Sequence, residues 1–264
     1  MANQLALVTG ASDGIGLEFC KLLAKRGYDL ILVARREDKL EQIGAQLAAQ
    51  QGINYNIISV DLSQPQAAQE IYQETQNRGL RVDLLINNAG LLHNGFFTQL
   101  DLTAQENMIK VNVLALTSMC HLFANDMAQR KAGSILNIAS LAAWMPIPNQ
   151  NVYAATKAYV LAFSQALHDE MRAADTGVTV TALCPGYTAT KMMNNPDQGG
   201  RLMISEGLLQ SAEQVAEIGL NACLAGKSTV VPGLANRITA AFTHLFPKTF
   251  FAKWMGRFYR NNMR

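Results

Sequence analysis

Leu5-Ala-Leu-Val-Thr9-Gly10-Ala-Ser-Asp-Gly14-Ile-Gly16 is the stretch that decides the fold. An apolar, strand-like run ends at Thr9, glycines follow at once, and an apolar-periodic helix pattern, Leu17, Phe19, Cys20, Leu22 and Leu23, begins without a gap. Strand, glycine loop and helix start form a cradle for phosphate. Glycine permits the turn and a close backbone approach, while the free N–H groups at the positive end of the helix dipole face an anion. The spacing Gly-x-x-x-Gly-x-Gly differs from the commoner dinucleotide pattern, Gly-x-Gly-x-x-Gly.

Further strand-like runs lie at 29–34, 54–60, 82–86, 134–139, 178–183 and 229–231, alternating with helical patterns. This alternation predicts an α/β fold, a Rossmann-type doubly wound parallel sheet of about seven strands with helices on both faces. With 264 residues, 49% hydrophobic and 16% charged, the chain suffices for a single domain over 1–264. Ligands in such sheets bind at the carboxyl ends of the strands, where strand order reverses.

The chemistry-bearing residues cluster at those ends. Tyr153-Ala-Ala-Thr-Lys157 puts a phenol and an ammonium four residues apart, on one face of a helix predicted over 151–170. A cation beside a phenol favours phenolate and lowers a pKa that is ordinarily about 10. Asn87-Asn88-Ala89-Gly90 ends a buried strand, Asn112 falls inside the helical pattern of 108–127, and Ser140 is read as the last residue of the strand begun at Gly133. With Thr9 to Gly16, Asn88 to Gly90, Asn112, Ser140, Tyr153, Lys157 and Pro185-Gly186 in this order, the chain closely resembles the short-chain dehydrogenase/reductase family over about residues 4–231.

The resemblance implies an oxidoreductase with Asn112, Ser140, Tyr153 and Lys157 as its catalytic set. Tyr153 would be the general acid or base, Ser140 would bond the substrate oxygen, Lys157 would lower the tyrosine pKa and hold ribose hydroxyls, and Asn112 would position a water. For the cofactor it implies Gly10, Asp13, Gly14, Ile15 and Gly16 in the pyrophosphate loop, Arg35 as the principal 2′-phosphate ligand with Arg36 or Ser12 as helper, Asp61 and Leu62 at the adenine, and Asn88, Ala89 and Gly90 beside a ribose. Pro185, Gly186, Thr188 and Thr190 would stand at the nicotinamide. After the second strand, Ala34-Arg35-Arg36 offers a guanidinium where a carboxylate would repel a 2′-phosphate, so NADP(H) is the expected cofactor, with NAD(H) left open. Asp13 departs from this pattern, because some NADP(H) enzymes carry a basic residue there. Asp61 also reads as the start of the next helix.

Substrate walls are expected at 91–100, 141–150 and 187–210, the last a lid with Gly199-Gly200. Leu92, Phe96, Phe97, Trp144, Met192, Met193, Leu202 and Met203 suit a bulky apolar ketone, aldehyde, steroid or acyl chain, or else pack a loop or subunit contact. The extension at 232–264 is basic and aromatic. After Gly226 come Lys227, Arg237, Lys248, Lys253, Arg257, Arg260 and Arg264 with no Asp or Glu, and seven aromatic residues interleave. It reads as a lid or subunit contact in preference to a peripheral membrane contact. Nucleic-acid binding has no support in the cofactor motifs. A homodimer or homotetramer through the helices near Asn112 and Tyr153 is implied by the resemblance.

Cys20, Cys120, Cys184 and Cys223 are spaced as small core residues, and the histidines show no metal-ligand spacing. With a strand at the first residues and no apolar run near the ~20 residues of a membrane span, a cytoplasmic protein is expected. Two functions remain open. One is an NADP(H)-dependent carbonyl reductase or alcohol dehydrogenase, and the other a non-catalytic NADP(H)-binding module that senses redox state or binds a partner.

Overall fold

The computed structural model describes residues 3–190, 209–243 and 245–262. Seven parallel strands form one sheet in the order β3-β2-β1-β4-β5-β6-β7. They are β1 (Leu5–Thr9), β2 (Asp29–Ala34), β3 (Tyr55–Ser59), β4 (Leu84–Asn87), β5 (Gly133–Ile138), β6 (Val178–Leu183) and β7 (Thr229–Val230). The doubly wound sheet expected from the sequence is present. Its order reverses between β1 and β4, so a crevice opens where their carboxyl ends diverge.

Burial on both faces explains the continuous apolar strands. Ala6, Val8, Leu30 and Leu32 point to one face and pack with Phe19 and Leu23 of α1 (Gly14–Lys25), Leu40 of α2 (Glu37–Gln51) and Leu220 of α7 (Ala212–Leu224). Leu7, Ile31, Val33 and Ile135 point the other way. They meet Ile71 of α3 (Ala67–Asn77), Phe123 of α5 (Leu116–Gln129) and Val160 of α6 (Asn151–Ala173). The four cysteines are free and buried; burial pushes Cys120, Cys184 and Cys223 up to about 12, which keeps them as inert thiols.

Several boundaries differ from the sequence reading. β5 ends at Ile138, so Ser140 is not a strand residue but the cap of a short 3-10 helix, Leu141–Trp144, whose Ala142 N–H donates to Ser140 Oγ at 3.1 Å. The pattern across 108–127 is interrupted. After α4 (Leu102–Ile109), residues Lys110–Ala115 wind as a π-helix before α5, and Asn112 sits in that π segment. Asp61 caps no helix, since α3 begins only at Ala67; its carboxylate instead accepts from Ser63 N–H at 2.9 Å and closes the turn after β3.

The basic extension forms α8 (Leu234–Phe242) and α9 (Lys248–Asn262). No described helix is long and apolar enough to cross a membrane. Of the lid expected at 187–210, only the stems are described: Ala189 and Gln210 pair with a 2.9 Å hydrogen bond, as do Gln210 and Tyr187. Gly199, Gly200, Met192, Met193, Leu202 and Met203 lie outside the described residues.

Phe123 is 1% exposed and meets the Tyr72 ring edge-on at 5.3 Å. Phe123→Ala is expected to cost about 3–5 kcal/mol of stability in chemical denaturation. Phe97→Ala, at a residue 53% exposed, is expected to change it by less than about 0.5 kcal/mol.

Candidate active site

Hydrogen bonds between the ends of β1 and β4 build the crevice. Thr9 Oγ1 accepts from the N–H groups of Asn88 and Ala89, each at 3.0 Å, and donates to the Ile86 carbonyl at 3.3 Å. The Asn88 amide returns the tie, donating to the carbonyls of Thr9 and Gly10 at 3.0 and 3.3 Å. Space at this junction is exhausted. A Cβ on Gly16 would be driven into the Gly10 carbonyl and the Asn88 amide, and Gly10 itself holds φ +67°, the left-handed region that glycine adopts without strain. Asp13 caps α1 by accepting from Gly14 N–H at 2.8 Å, and Thr190 lies against Gly14.

A cleft of about 310 Å³ opens over this loop, lined by Gly10, Ser12, Arg35, Arg36, Asp61, Leu62, Ala89 and Gly90. Eight residues assigned to the cofactor from sequence are thus brought to one wall. Asp13, Gly14, Ile15, Gly16 and Asn88 shape the loop behind it, while Pro185, Gly186, Thr188 and Thr190 lie beyond β6, where Thr188 is buried and donates to the Gly186 carbonyl at 3.1 Å. Arg35 and Arg36 are exposed at the rim, and neither is held in an ion pair with another described residue. A glycine cradle at a helix N-terminus with free guanidiniums at the far rim fits a dinucleotide carrying an extra phosphate. Lys39 was missed by the sequence reading. Its ammonium lies 3.3 Å from Asp13, so α2 supplies a cation at the corner where the loop itself has an acid. Only the placement of Lys39 four residues after Arg35 and three after Arg36 could have signalled it.

On the other side of Gly90, α6 carries Tyr153 and Lys157 on one face. The Lys157 ammonium is 5.7 Å from the centre of the Tyr153 ring and donates to the Ile138 carbonyl at 2.8 Å. Ser140 stands near enough to the Tyr153 hydroxyl to act on its pKa. The electrostatics differ from the sequence expectation. Burial raises the Tyr153 pKa above its ordinary value, and Ser140 beside the hydroxyl lowers it in part. Lys157 is itself pushed down to about 8 by burial.

Asn112 is held by three side-chain hydrogen bonds. Its Oδ1 accepts from Leu91 N–H at 2.8 Å, and its Nδ2 donates to the Leu91 carbonyl at 2.9 Å and to Thr156 Oγ1 at 3.1 Å. The side chain fixes the segment after Gly90 against α6, using both Nδ2 hydrogens and one of the two acceptor positions of Oδ1.

Sequence reasoning also missed a buried polar chain above Tyr153. Gln150 donates to Asn94 Oδ1 and accepts from the Tyr259 hydroxyl at 3.0 Å, and the Tyr259 and Tyr187 hydroxyls are 3.2 Å apart. Tyr259 belongs to α9, whose Phe251, Met255 and Tyr259 pack with Met145, Ile147 and Ala154 against Tyr153 and Tyr187. The inner face of the C-terminal helix therefore roofs the site. Phe96 and Phe97, expected in its walls, are instead 61% and 53% exposed on the outside, while Leu92 is buried.

Asn112→Ala removes the side-chain partners of the part-buried N–H and carbonyl of Leu91. A loss of about 1–3 kcal/mol in unfolding free energy is expected, with Asn112→Asp recovering the part that depends on Oδ1.

Comparison with known proteins places this geometry. Residues 4–199 match the family model for short chain dehydrogenase. The chain is 36% identical over 196 residues to the very-long-chain 3-oxoacyl-CoA reductase of Bos taurus, a match covering 72% of this chain and 61% of that protein. It is 32% identical over 262 residues to human 17-beta-hydroxysteroid dehydrogenase type 3, covering 98% of this chain and 79% of that one. Among solved structures, a short-chain dehydrogenase from Sphingobium yanoikuyae in complex with NADPH superimposes with a TM-score of 0.80 at 30% identity, over 92% of this chain and 93% of the other. The chain, which spans about three fifths of the length of the 3-oxoacyl-CoA reductases it matches, thus belongs to the short-chain dehydrogenase family.

Proposed function

We propose that the chain reduces the carbonyl of a bulky apolar substrate with NADPH, the reverse alcohol oxidation being open to the same residues. The observation that carries this reading is the meeting of the Ser140 and Tyr153 hydroxyls beside buried Lys157, under an apolar roof and next to a phosphate-fitting crevice. The relatives support the substrate class, one being named for 3-oxoacyl-CoA and another for a hydroxysteroid. The neighbour bound to NADPH supports the cofactor.

When bound, a reduced nicotinamide supplies hydride to the carbonyl carbon, and negative charge grows on the oxygen. Tyr153 donates its proton to that oxygen. Because burial holds the phenol above its ordinary pKa, the hydroxyl is protonated at neutral pH and ready for the reductive direction. Ser140 donates a second hydrogen bond to the same oxygen and fixes its distance from Tyr153. Lys157, still largely cationic at neutral pH and beside Gly90, would hold the nicotinamide ribose hydroxyls and would compensate the phenolate left after proton transfer. Asn112 acts by fixing Leu91 and Thr156; a water in the proton path would be held by its backbone, which the π winding takes out of the ordinary helical register. Arg35, Arg36 and Lys39 would surround the 2′-phosphate, Lys39 leaving Asp13 to do so. The roof of Phe251, Met255 and Tyr259 excludes water, and the Tyr259, Gln150 and Asn94 chain gives it a polar point for orienting substrate. Exposed Ile109, Leu114 and Tyr159 near Asn112 and Tyr153 support assembly through that face.

Tyr153→Phe is expected to lower turnover by at least about 100-fold while NADPH binding, read by fluorescence titration, stays near the parent value. Turnover close to the parent's would remove Tyr153 as the acid. Arg35→Ala should weaken NADPH binding about ten-fold or more and leave NADH nearly unchanged; equal losses would refute the phosphate assignment. Lys157 is a base with a lowered pKa, so its charge is present below about pH 8 and lost above it. Affinity for NADPH is expected to fall as pH rises through about 8, and this step should be absent in Lys157→Met.

A further inference from the structure

We infer that the outward face of α8 and α9 is a docking surface for an anionic lipid membrane. Leu234, Ile238 and Phe242 recur every four residues along α8 and are 70%, 60% and 44% exposed, so the helix presents an apolar stripe away from the body. The stripe continues onto α9. Phe242 meets Phe246 at 4.7 Å and Phe246 meets Phe250 at 5.3 Å, with Trp254 one turn further and 55% exposed. Phe251, Met255 and Tyr259 seat α9 from the opposite face, Gly256 lets it close on Pro148, and Phe242, Phe246 and Phe250 meet Phe251 edge-on while keeping a large part of each ring exposed.

Charge selects the partner. Arg237, Lys248, Lys253, Arg257 and Arg260 lie on the same two helices as the rings, all exposed and none in an ion pair with another described residue. No Asp or Glu follows Glu217 anywhere in the chain, although the chain as a whole carries only +2. Beside Leu234, a cleft of about 350 Å³ is lined by Lys227 and Arg237 together with Ile218 and Val231, a shape and charge suited to a phosphate headgroup with the start of its acyl chains. Exposed rings that enter the headgroup boundary, bordered by cations that face lipid phosphates, are the pattern of interfacial binding. A second copy of the chain fits less well, because a symmetric contact would set this unbalanced cluster of cations against itself. The inference stands apart from the chemistry proposed above, but it has a consequence for it. The helix whose inside roofs Tyr153 would have its outside at the lipid, where apolar substrates partition.

The test is sedimentation of the full-length protein with phosphatidylcholine vesicles, with and without phosphatidylglycerol. Binding to the anionic vesicles is expected to be at least about ten-fold tighter and to weaken as salt is raised. The pairs Lys253→Glu/Arg257→Glu and Phe250→Ser/Trp254→Ser should each reduce it about ten-fold or more, with circular dichroism and the thermal midpoint close to the parent's. Parent protein that ignores both vesicle types, or variants that bind as well as the parent, would overturn the proposal. So would a parent that binds no vesicle but forms an oligomer that the outer-face variants dissociate, since the patch would then be a subunit contact.

Discussion

The tie between the ends of β1 and β4 is the interaction on which the rest depends. Parallel strands at a reversal of order separate at their carboxyl ends, and without a cross-link the two loops would be free to close or splay. Thr9 and Asn88 hold them at fixed spacing, with four hydrogen bonds running between the two loops. That spacing leaves room for Gly16 and for no larger residue. It also places Gly90, against which Asn112 Oδ1 and the Lys157 ammonium both lie, so that the cofactor cradle and the reactive cluster share one support. The chemistry is therefore set by backbone geometry first and by side-chain identity second.

Burying Lys157 has a cost that the surroundings only partly offset. A single carbonyl, Ile138, accepts from an ammonium that is 5% exposed, and its pKa falls to about 8 accordingly. An arrangement of this kind is poised for an oxygen-rich partner, since ribose hydroxyls or a phenolate would satisfy the remaining donors. The raised Tyr153 and lowered Lys157 are two consequences of one enclosure, to which α9 contributes through Phe251, Met255 and Tyr259.

Much of this was legible in the sequence because it depends on short-range rules. Two-sided burial makes strands apolar throughout, a glycine loop joins strand to helix, and Tyr153 and Lys157 share a helix face by spacing alone. What the sequence hid was where long-range packing decides. The π winding at Lys110–Ala115 carries no distinct residue pattern, and it turns Asn112 toward Leu91 and Thr156. Ser140 looked like a strand end because Ile138 and Ala139 are apolar, yet the chain has already left the sheet for a capped turn. Lys39 and Tyr259 belong to elements remote in sequence from the motifs they join, and only the tertiary structure brings them there. The tail's composition suggested either a cover or a surface, and the helical geometry lets opposite faces of α9 be both.

Transfer of label tests the central claim most directly. NADPH deuterated at the transferring C4 position would be incubated with the enzyme and a panel of bulky apolar ketones and 3-oxoacyl thioesters, and the products weighed by mass spectrometry. The account predicts an alcohol one mass unit heavier, with the deuterium on the carbinol carbon and one NADPH consumed per product. Tight NADPH binding with no labelled alcohol from any member of the panel would contradict it.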